Sequence, residues 1–164
     1  MPPIAATWHA AAVEAFVAAG AGFLLAVLWF DLMHDVQVRG HDPAHDLPEP
    51  VLASIAGYYA RVTTAARPMN RLVAAAMLAT LVAVVVEIVE GLEPAWVPWL
   101  TLALIVPPIG LAGRRTVPSA VRLGTRRDDT ATQSALARSI YRDHCFCFVC
   151  ITLALIVQLG AAAR

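Results

Sequence analysis

Three polar residues at the end of the first long apolar segment have the types and the spacing that proton transfer requires. Asp31, His34 and Asp35 are three and four residues apart, so on a helix they occupy adjoining faces of one turn. Asp31 still lies at the edge of the apolar run, where an ionised carboxylate is costly unless it is paired. A second histidine, His144, stands immediately before another apolar run. Asp31, His34 and His144 are therefore the candidate catalytic residues.

Arginines precede two other apolar segments, and we expect them to lie at the same level of the membrane as Asp31. Arg67 and Arg71 have the same four-residue spacing as Arg138 and Arg142. Guanidinium groups bind carboxylates and phosphates through paired hydrogen bonds. The pattern therefore predicts either a ring of ion pairs that clamps the helices or a pocket for an anionic or polar headgroup-like ligand. The predicted ligand-binding residues are Asp31, Asp35, Arg67, Asn70, Arg71, Arg138, Arg142 and Asp143.

Histidines, carboxylates and three cysteines near the same level also raise the question of a metal or haem site. Imidazole, carboxylate and thiolate are ordinary ligands of zinc, iron and copper. On a helix, however, the side chains of Cys145 and Cys147 point about 200° apart, so these two thiols and that of Cys150 cannot all face one ion. Their odd number argues against a disulfide. The sequence therefore predicts no metal site, and the cofactor stays unknown. If a metal ion were bound, His34 and His144 would be the candidate ligands.

A second, smaller polar group is predicted at the opposite ends of the same segments. Glu14 lies about one turn inside the first segment. Glu87 and Glu90 are three residues apart near the end of the second, and Gln158 lies at comparable depth in the last. No basic residue is expected beside them. The carboxyls either share protons, as in a proton or cation site, or are merely hydrogen-bonded and solvated. The four residues are the candidates for a proton or cation site.

The composition is that of an integral membrane protein. Of the 164 residues, 59% are hydrophobic, and the mean hydropathy is +0.67. The formal net charge is zero, so no long-range field favours nucleic acid as a partner. Lysine is absent, and eleven of the twelve arginines lie in residues 36–71 and 114–142. This sorting of the basic residues indicates two loops on one side of a bilayer.

Four apolar segments are long enough to span a membrane, and each must be helical because lipid cannot satisfy an open backbone. The sequence predicts an all-α, integral membrane four-helix bundle that forms one domain over residues 1–164. The predicted spans are residues 10–33, 72–92, 95–112 and 145–163, and the inner loops are 36–71 and 114–142. Basic loops stay in the cytoplasm, which places both termini outside, in a multi-pass protein of the bacterial cytoplasmic membrane.

Both cytoplasmic loops are predicted to contain amphipathic or extended helical segments. In the first, apolar residues from Val51 to Ala66 recur at helical spacing with Arg61 toward water, and Pro68 ends this helix. In the second, Thr130 and Gln133 have capping-box spacing, so one helix is expected over residues 131–163. Small residues at four-residue spacing predict close helix contacts in the first and second spans. They are Ala18, Gly22 and Ala26, and Ala75, Ala79 and Ala83.

The plan of four spans, a long inner loop with a helix, a tight outer hairpin and arginine-rich entries resembles a family of small, uncharacterised bacterial integral membrane proteins. It is loosely similar to the anthrone-oxygenase-like four-span group. The most characteristic parts are residues 29–35 and 138–144. The resemblance covers most of the chain as a plan and implies a four-span fold. An oxygenase activity would follow from analogy of fold alone, and the resemblance assigns no catalytic residue.

Three functions of different classes fit these patterns. The first is a non-enzymatic membrane protein that binds a lipid, a small polar or anionic ligand, or a partner at the arginine-rich cytoplasmic side. The second is a small membrane-embedded enzyme, redox-active or dependent on a metal or haem, that uses Asp31, His34 and His144. The third is a proton-coupled carrier that acts as an oligomer through Glu14 and Glu87. Membrane lipids and a second copy of the chain are the expected partners.

Overall fold

All regular structure in the described part of the chain is helical, which confirms the all-α prediction. A computed structural model describes residues 4–92 and 94–163, except for the side chains of residues 4–7, 67 and 69. The helices of this part are α1 (Ile4–Asp35), α2 (Glu49–Tyr59), α3 (Arg67–Val89), α4 (Trp96–Leu111), α5 (Val117–Thr125) and α6 (Thr130–Ala162).

Four helical stretches are long and apolar enough to cross a membrane, as predicted. They are Trp8–Gly40, Asn70–Val89, Trp96–Thr125 and Thr130–Ala162. Three of them are longer than the predicted spans, because helical hydrogen bonding continues where the apolar run stops. The 33 residues of α6 measure about 50 Å, against about 30 Å of hydrocarbon in a bilayer. The second predicted inner loop is therefore largely helical.

The four-helix bundle consists of α1, α3, α4 and α6. Helix α6 packs against α1 and α4, and α3 packs against the same two helices. Large apolar side chains on the outside, such as Leu78 and Ile156, are exposed, as expected of a surface that lipid covers. The core consists of apolar side chains from all four helices: Val17, Ala21, Leu24, Ala83, Val84, Ile105, Ile151 and Ala154.

A second core lies where α2 and α5 pack beside the first half of α6. We call this end of the bundle the arginine end, and the end at which α3 and α4 are joined the hairpin end. Leu52, Ile55 and Tyr59 of α2 are buried here, as are Leu123 of α5 and Ile140 of α6. The predicted amphipathic helix of the first loop is thus a docked helix, and Arg61 is exposed as expected.

Two π-helical turns interrupt the helices at the arginine end. Ala60–Ala65 follows α2, and Ala112–Thr116 joins α4 to α5. The chain breaks at Ala66, whose ψ is 53°, and Pro68 lies in the first turn of α3. The preceding helix thus ends just before Pro68, as predicted, and the proline itself belongs to the new helix. Proline suits the first turn of a helix, because its φ is fixed near the helical value and a backbone amide hydrogen in that turn would have no acceptor within the helix.

Asp129, and not Thr130, caps the N-terminus of α6. Its side chain accepts a hydrogen bond of 2.7 Å from the backbone amide of Thr132. This bond, together with a second one from the Thr132 hydroxyl, holds the pKa of the Asp129 carboxyl below its ordinary value. Gln133 donates instead to the carbonyl of Asp128. The predicted capping box is thus shifted by one residue, because an aspartate in extended conformation precedes the threonine.

Helix α5 passes close to the backbone of the first π-helical turn at Gly124. A Cβ atom at this position would lie 2.9 Å from the amide nitrogen of Ala60 and 3.1 Å from its Cα. Backbone atoms cannot move aside as the end of a flexible side chain can, so the approach requires glycine. The contact holds this turn, and with it Tyr59, against α5.

The contact between α1 and α3 follows the predicted small residues only in part. A Cβ atom added at Gly22 would meet nothing within 4 Å, and Ala26 and Ala75 are exposed. The close approach is at Gly20 instead, where an added Cβ would collide with the side chain of Thr80. The predicted contact faces are therefore confirmed only in part: Ala83 is buried in the core, whereas Ala26 and Ala75 are exposed, because several faces of these alanine-rich helices offer the same four-residue spacing.

Candidate functional site

A buried histidine and aspartate form the centre of a polar cluster at the arginine end. Asp35, at the end of α1, is fully buried, and its Oδ2 lies 2.6 Å from Nδ1 of His144 on α6. An ionised carboxylate only accepts hydrogen bonds, so the imidazole donates from Nδ1. Donation from Nδ1 leaves Nε2 of the neutral ring as an acceptor. The pair therefore fixes both the tautomer and the orientation of His144.

A second carboxylate lies on the other side of the same imidazole. Oδ2 of Asp31 is 3.9 Å from Nε2 of His144, too far for a direct hydrogen bond. Oδ1 of Asp31 accepts a hydrogen bond of 2.7 Å from the hydroxyl of Tyr58. The hydroxyl of Tyr59 donates in the same way to Oδ1 of Asp35, at 2.6 Å. Each carboxylate is thus held by one tyrosine of α2, and His144 lies between the two carboxylates.

The exposed face of this cluster forms the wall of a cavity. The cavity has a volume of about 330 Å³, and a smaller chamber of about 120 Å³ adjoins it. Asp31 and His144 line both chambers, and most of the other described lining residues are apolar. A volume of this size is at the lower end of small-molecule pockets, which span about 300–1,000 Å³. The arrangement therefore offers an apolar pocket with acid and base groups on one side.

The two π-helical turns supply part of this wall. Val62 and Thr63 come from the first turn, and Thr116 from the second. The hydroxyl of Thr116 also donates to Oδ2 of Asp143 at 3.2 Å. Such turns displace side chains from the regular helical pattern and are frequent at functional sites. The two turns thus place Val62, Thr63 and Thr116 in the cavity wall.

The structure does not bring the predicted Arg71, Arg138 and Arg142 to the cavity. Arg71 and Arg142 are exposed and are not among the described lining residues. The guanidinium of Arg138 donates to the carbonyl oxygens of Asp42 and His45, at 3.0 and 2.8 Å, and so fastens the loop after α1. A long, flexible side chain can satisfy itself on such carbonyls without facing a carboxylate.

The remaining predicted ligand-binding residues are divided between the cavity and its surroundings. Asn70 lines the larger chamber. Asp143 is buried beside the cluster, with Nε of Arg115 at 3.4 Å from its Oδ2. The side chain of Arg67 lies outside the described part of the structure. Of the predicted ligand-binding residues, Asp31 and Asn70 therefore line the cavity, Asp35 lies behind His144, and no arginine is among the described lining residues.

The predicted metal candidates are engaged in other contacts. The ring of His34 stacks on Tyr58, with 3.9 Å between the ring centroids, and its Nδ1 lies 3.1 Å from the carbonyl oxygen of Phe30. Among the described residues, no three His, Cys, Asp or Glu side chains are grouped as ligands of one metal ion. Cys147 lines the smaller chamber. The cysteines Cys145, Cys147 and Cys150 form no disulfide bond.

Tyr58 and Tyr59 are the site residues that the sequence interpretation missed. Both tyrosines are three or four residues from apolar neighbours in the sequence. This spacing predicted that they lie on the buried face of an amphipathic helix, and they do. A buried tyrosine hydroxyl normally requires a polar partner, and two adjacent tyrosines on such a face are the signal that could have pointed to Asp31 and Asp35. The partners themselves are not readable from the pattern.

Burial and the adjacent carboxylates raise the pKa of both tyrosines above the ordinary value of 10.0. The folded protein thus keeps the Tyr59 proton at a pH where the unfolded chain loses it, so stability should fall as pH rises beyond about 10. We expect the stability difference between the wild-type protein and Tyr59→Phe to shrink with rising pH in that range. Unfolding in detergent micelles at several alkaline pH values measures it. A difference independent of pH would contradict the assignment.

The candidates at the hairpin end are partly assembled. Glu14, Glu87 and Gln158 line one small void. Glu90 lies apart from them, is exposed, and has its Oε1 at 2.9 Å from Nε2 of His9. The expectation that no basic residue accompanies these acids is therefore wrong for Glu90, because the start of α1 reaches the hairpin.

Comparison of the chain with protein-family models, with curated proteins and with solved structures finds no match. The resemblance in plan to the anthrone-oxygenase-like group stays a prediction from the sequence. The functional argument rests on the geometry of the site.

Proposed function

We propose that this membrane protein binds a small, largely apolar molecule in the cavity and exchanges a proton with its one polar group through His144. The observation that carries the proposal is the position of His144, in the cavity wall between Asp35 and Asp31. This proposal is a specific version of the predicted enzyme or ligand-binding function, in which the protein exchanges a proton with the ligand. Aspartate and histidine side chains, and not arginines, recognise the ligand.

The Asp35–His144 pair supports His144 as the proton acceptor. A buried carboxylate behind an imidazole orients the ring and stabilises the imidazolium that forms when the ring takes a proton. The ligand's O–H group would donate to Nε2 of His144, and the proton would pass to that nitrogen. Asp35 at 2.6 Å and Asp31 at 3.9 Å then both face the new positive charge. The tyrosine hydroxyls keep the two carboxylates in place.

The electrostatics of the cavity favour a neutral ligand over an anion. The carboxylate of Asp31 lines its polar wall, the buried carboxylate of Asp35 lies behind His144, and no arginine is among the described lining residues. A phosphate or carboxylate group placed there would meet like charges, which disfavour ionisation. The apolar remainder of the wall would hold the hydrocarbon part of the ligand. We therefore propose an uncharged ligand with an acidic hydroxyl group in place of the predicted anionic headgroup.

Orientation and location complete the proposal. The positive-inside tendency of arginine supports a cytoplasmic arginine end and both termini on the outer side of a bacterial cytoplasmic membrane. The exposed apolar belt of the bundle supports contact with membrane lipids. The cavity would then lie at the cytoplasmic side of the membrane, within reach of molecules dissolved in either the bilayer or the cytosol.

The test uses 2-naphthol, an uncharged two-ring molecule whose excited state gives its proton to a nearby base and then emits as naphtholate. We expect saturable binding to the detergent-purified protein with naphtholate emission. In the variant His144→Phe the share of naphtholate emission from the bound probe should fall, because the imidazole that accepts the proton is gone. His45→Phe, the same substitution at an exposed loop residue, should behave as the wild-type protein does. Absence of saturable binding, or unchanged naphtholate emission in His144→Phe, would overturn the proposal.

A further inference from the structure

A buried carboxyl group with one unpartnered oxygen lies at the hairpin end. The Glu87 residue is only 2% exposed. Its Oε2 accepts a hydrogen bond of 2.9 Å from Nε2 of Gln158, which also lies 3.2 Å from the hydroxyl oxygen of Thr101. Its Oε1 is buried and has no hydrogen-bond partner in the described part of the structure. One amide donor therefore serves the whole carboxyl group.

A small void adjoins this carboxyl group. It has a volume of about 10 Å³ and is lined by Glu87, Gln158 and the partly exposed Glu14, together with apolar and proline residues of the hairpin. One water molecule needs about 10–15 Å³ measured in this way. The void thus has room for a single water-sized species between the buried carboxyl and one nearer the surface.

The surroundings of Glu87 are unfavourable for a full negative charge. The described side chains that line the void include no arginine or histidine, and the other titratable one is the acidic Glu14. An ionised carboxylate in an apolar bundle needs a counter-charge or several donors, and a single amide supplies neither. A neutral carboxylic acid places the same atoms at much lower cost.

We propose that Glu87 is a proton-binding site that exchanges its proton with the outer surface through the void and Glu14. The site is separate from the cavity at the arginine end: Gln158 and His144 are 14 residues apart on α6, which is about 21 Å along the helix axis. It is also independent of the proposed function, since either site can be present without the other.

Infrared difference spectroscopy tests the proposal without any probe that has to enter the bundle. We expect the purified protein at neutral pH to show a carboxylic-acid carbonyl band, part of which is lost in Glu87→Gln. The matched control is Glu90→Gln, because Glu90 is exposed and contacts His9. This control should retain the whole band. A Glu87→Gln spectrum identical to that of the wild-type protein would overturn the proposal.

Dicyclohexylcarbodiimide gives a second, site-resolved measurement, because it adds to protonated carboxyl groups in apolar surroundings. We expect peptide mapping to find the adduct on Glu87 in the wild-type protein and in Glu90→Gln. Raising the pH should reduce the labelling, since the carboxyl must carry its proton to react. Labelling of Glu90 or Glu14 but not Glu87 would overturn the proposal. Suppression of the Glu87 adduct by sodium ions at constant pH would do so too, because a metal cation would then occupy the site.

Discussion

Replacing Asp35 by alanine is expected to lower the free energy of unfolding by about 3–5 kcal/mol, the usual effect of removing one partner from a buried charged pair. The fully buried carboxylate of Asp35 accepts hydrogen bonds from both His144 and Tyr59, each at 2.6 Å. Its removal leaves the Tyr59 hydroxyl and the Nδ1–H group of His144 without their acceptor inside the bundle, where an unmade hydrogen bond is costly. Unfolding in mixed detergent micelles, followed by circular dichroism, measures the change.

Asp46→Ala is the matched control for this prediction, because Asp46 is an exposed carboxylate in the loop after α1. It should change the stability little, as most surface substitutions do. If Asp35→Ala costs no more than Asp46→Ala, the buried pair does not hold the bundle together. Asp35→Asn separates stability from chemistry. Its amide can still accept from Tyr59, but it donates to Nδ1 of His144 and so moves the ring proton to Nε2. This variant should therefore fold but show a smaller share of naphtholate emission.

Filling the cavity is expected to abolish ligand binding while the protein stays folded. Val73 of α3 lines both chambers, so the ring of a Val73→Phe variant would occupy the space in which a ligand lies. We expect the affinity for 2-naphthol to fall by at least about 100-fold, which corresponds to roughly 2.7 kcal/mol of binding free energy. Stability should be retained or raised, because void-lining atoms gain contact partners. Fluorescence titration gives the affinity, and the unfolding assay gives the stability.

The control for this prediction lies on the same helix. Val82 is 52% exposed on the outer surface of α3, so Val82→Phe adds an equal volume where lipid can move aside. It should bind 2-naphthol as the wild-type protein does. Equal affinities for Val73→Phe and the wild-type protein would show that the ligand does not occupy this cavity.

The membrane-capable helices were predictable because their signal is local and strong. An apolar run of about 20 residues and the backbone's need for hydrogen bonds in lipid leave few alternatives to a helix. Their ends were less predictable. The start of α6 was predicted to within one residue, because a capping signal near Thr130 marks it some 15 residues before the apolar run. The continuation of the third span to Thr125 was not predicted, since a helix continues through polar residues when tertiary packing supports it.

The candidate site was predictable only in part, for reasons that depend on side-chain geometry. The spacing of Asp31 and Asp35 placed both on one turn, and the structure brings both to His144. Which residues pair with them depends on the rotation of α6 and on the docking of α2, and neither follows from periodicity. Tyr58 and Tyr59 looked like apolar positions, whereas their hydroxyls donate to Asp31 and Asp35 respectively.

The arginines show the opposite error. Their charge and level suggested partners for Asp31, but Arg138 binds backbone carbonyls and Arg71 is exposed. A guanidinium on a flexible stem has many acceptors within reach. The position of an arginine along its helix therefore does not decide which acceptor its guanidinium group binds.

The apolar middle of the bundle has an electrical consequence. Between the two polar sites, the hydroxyls of Thr80 and Thr152 donate to carbonyl oxygens of their own helices, of Ala76 and Phe148 respectively. The neighbouring core side chains are aliphatic, so the described residues offer no chain of exchangeable protons from one end to the other. In the described part of the bundle, a proton bound at one polar site therefore has no side-chain relay to the other site.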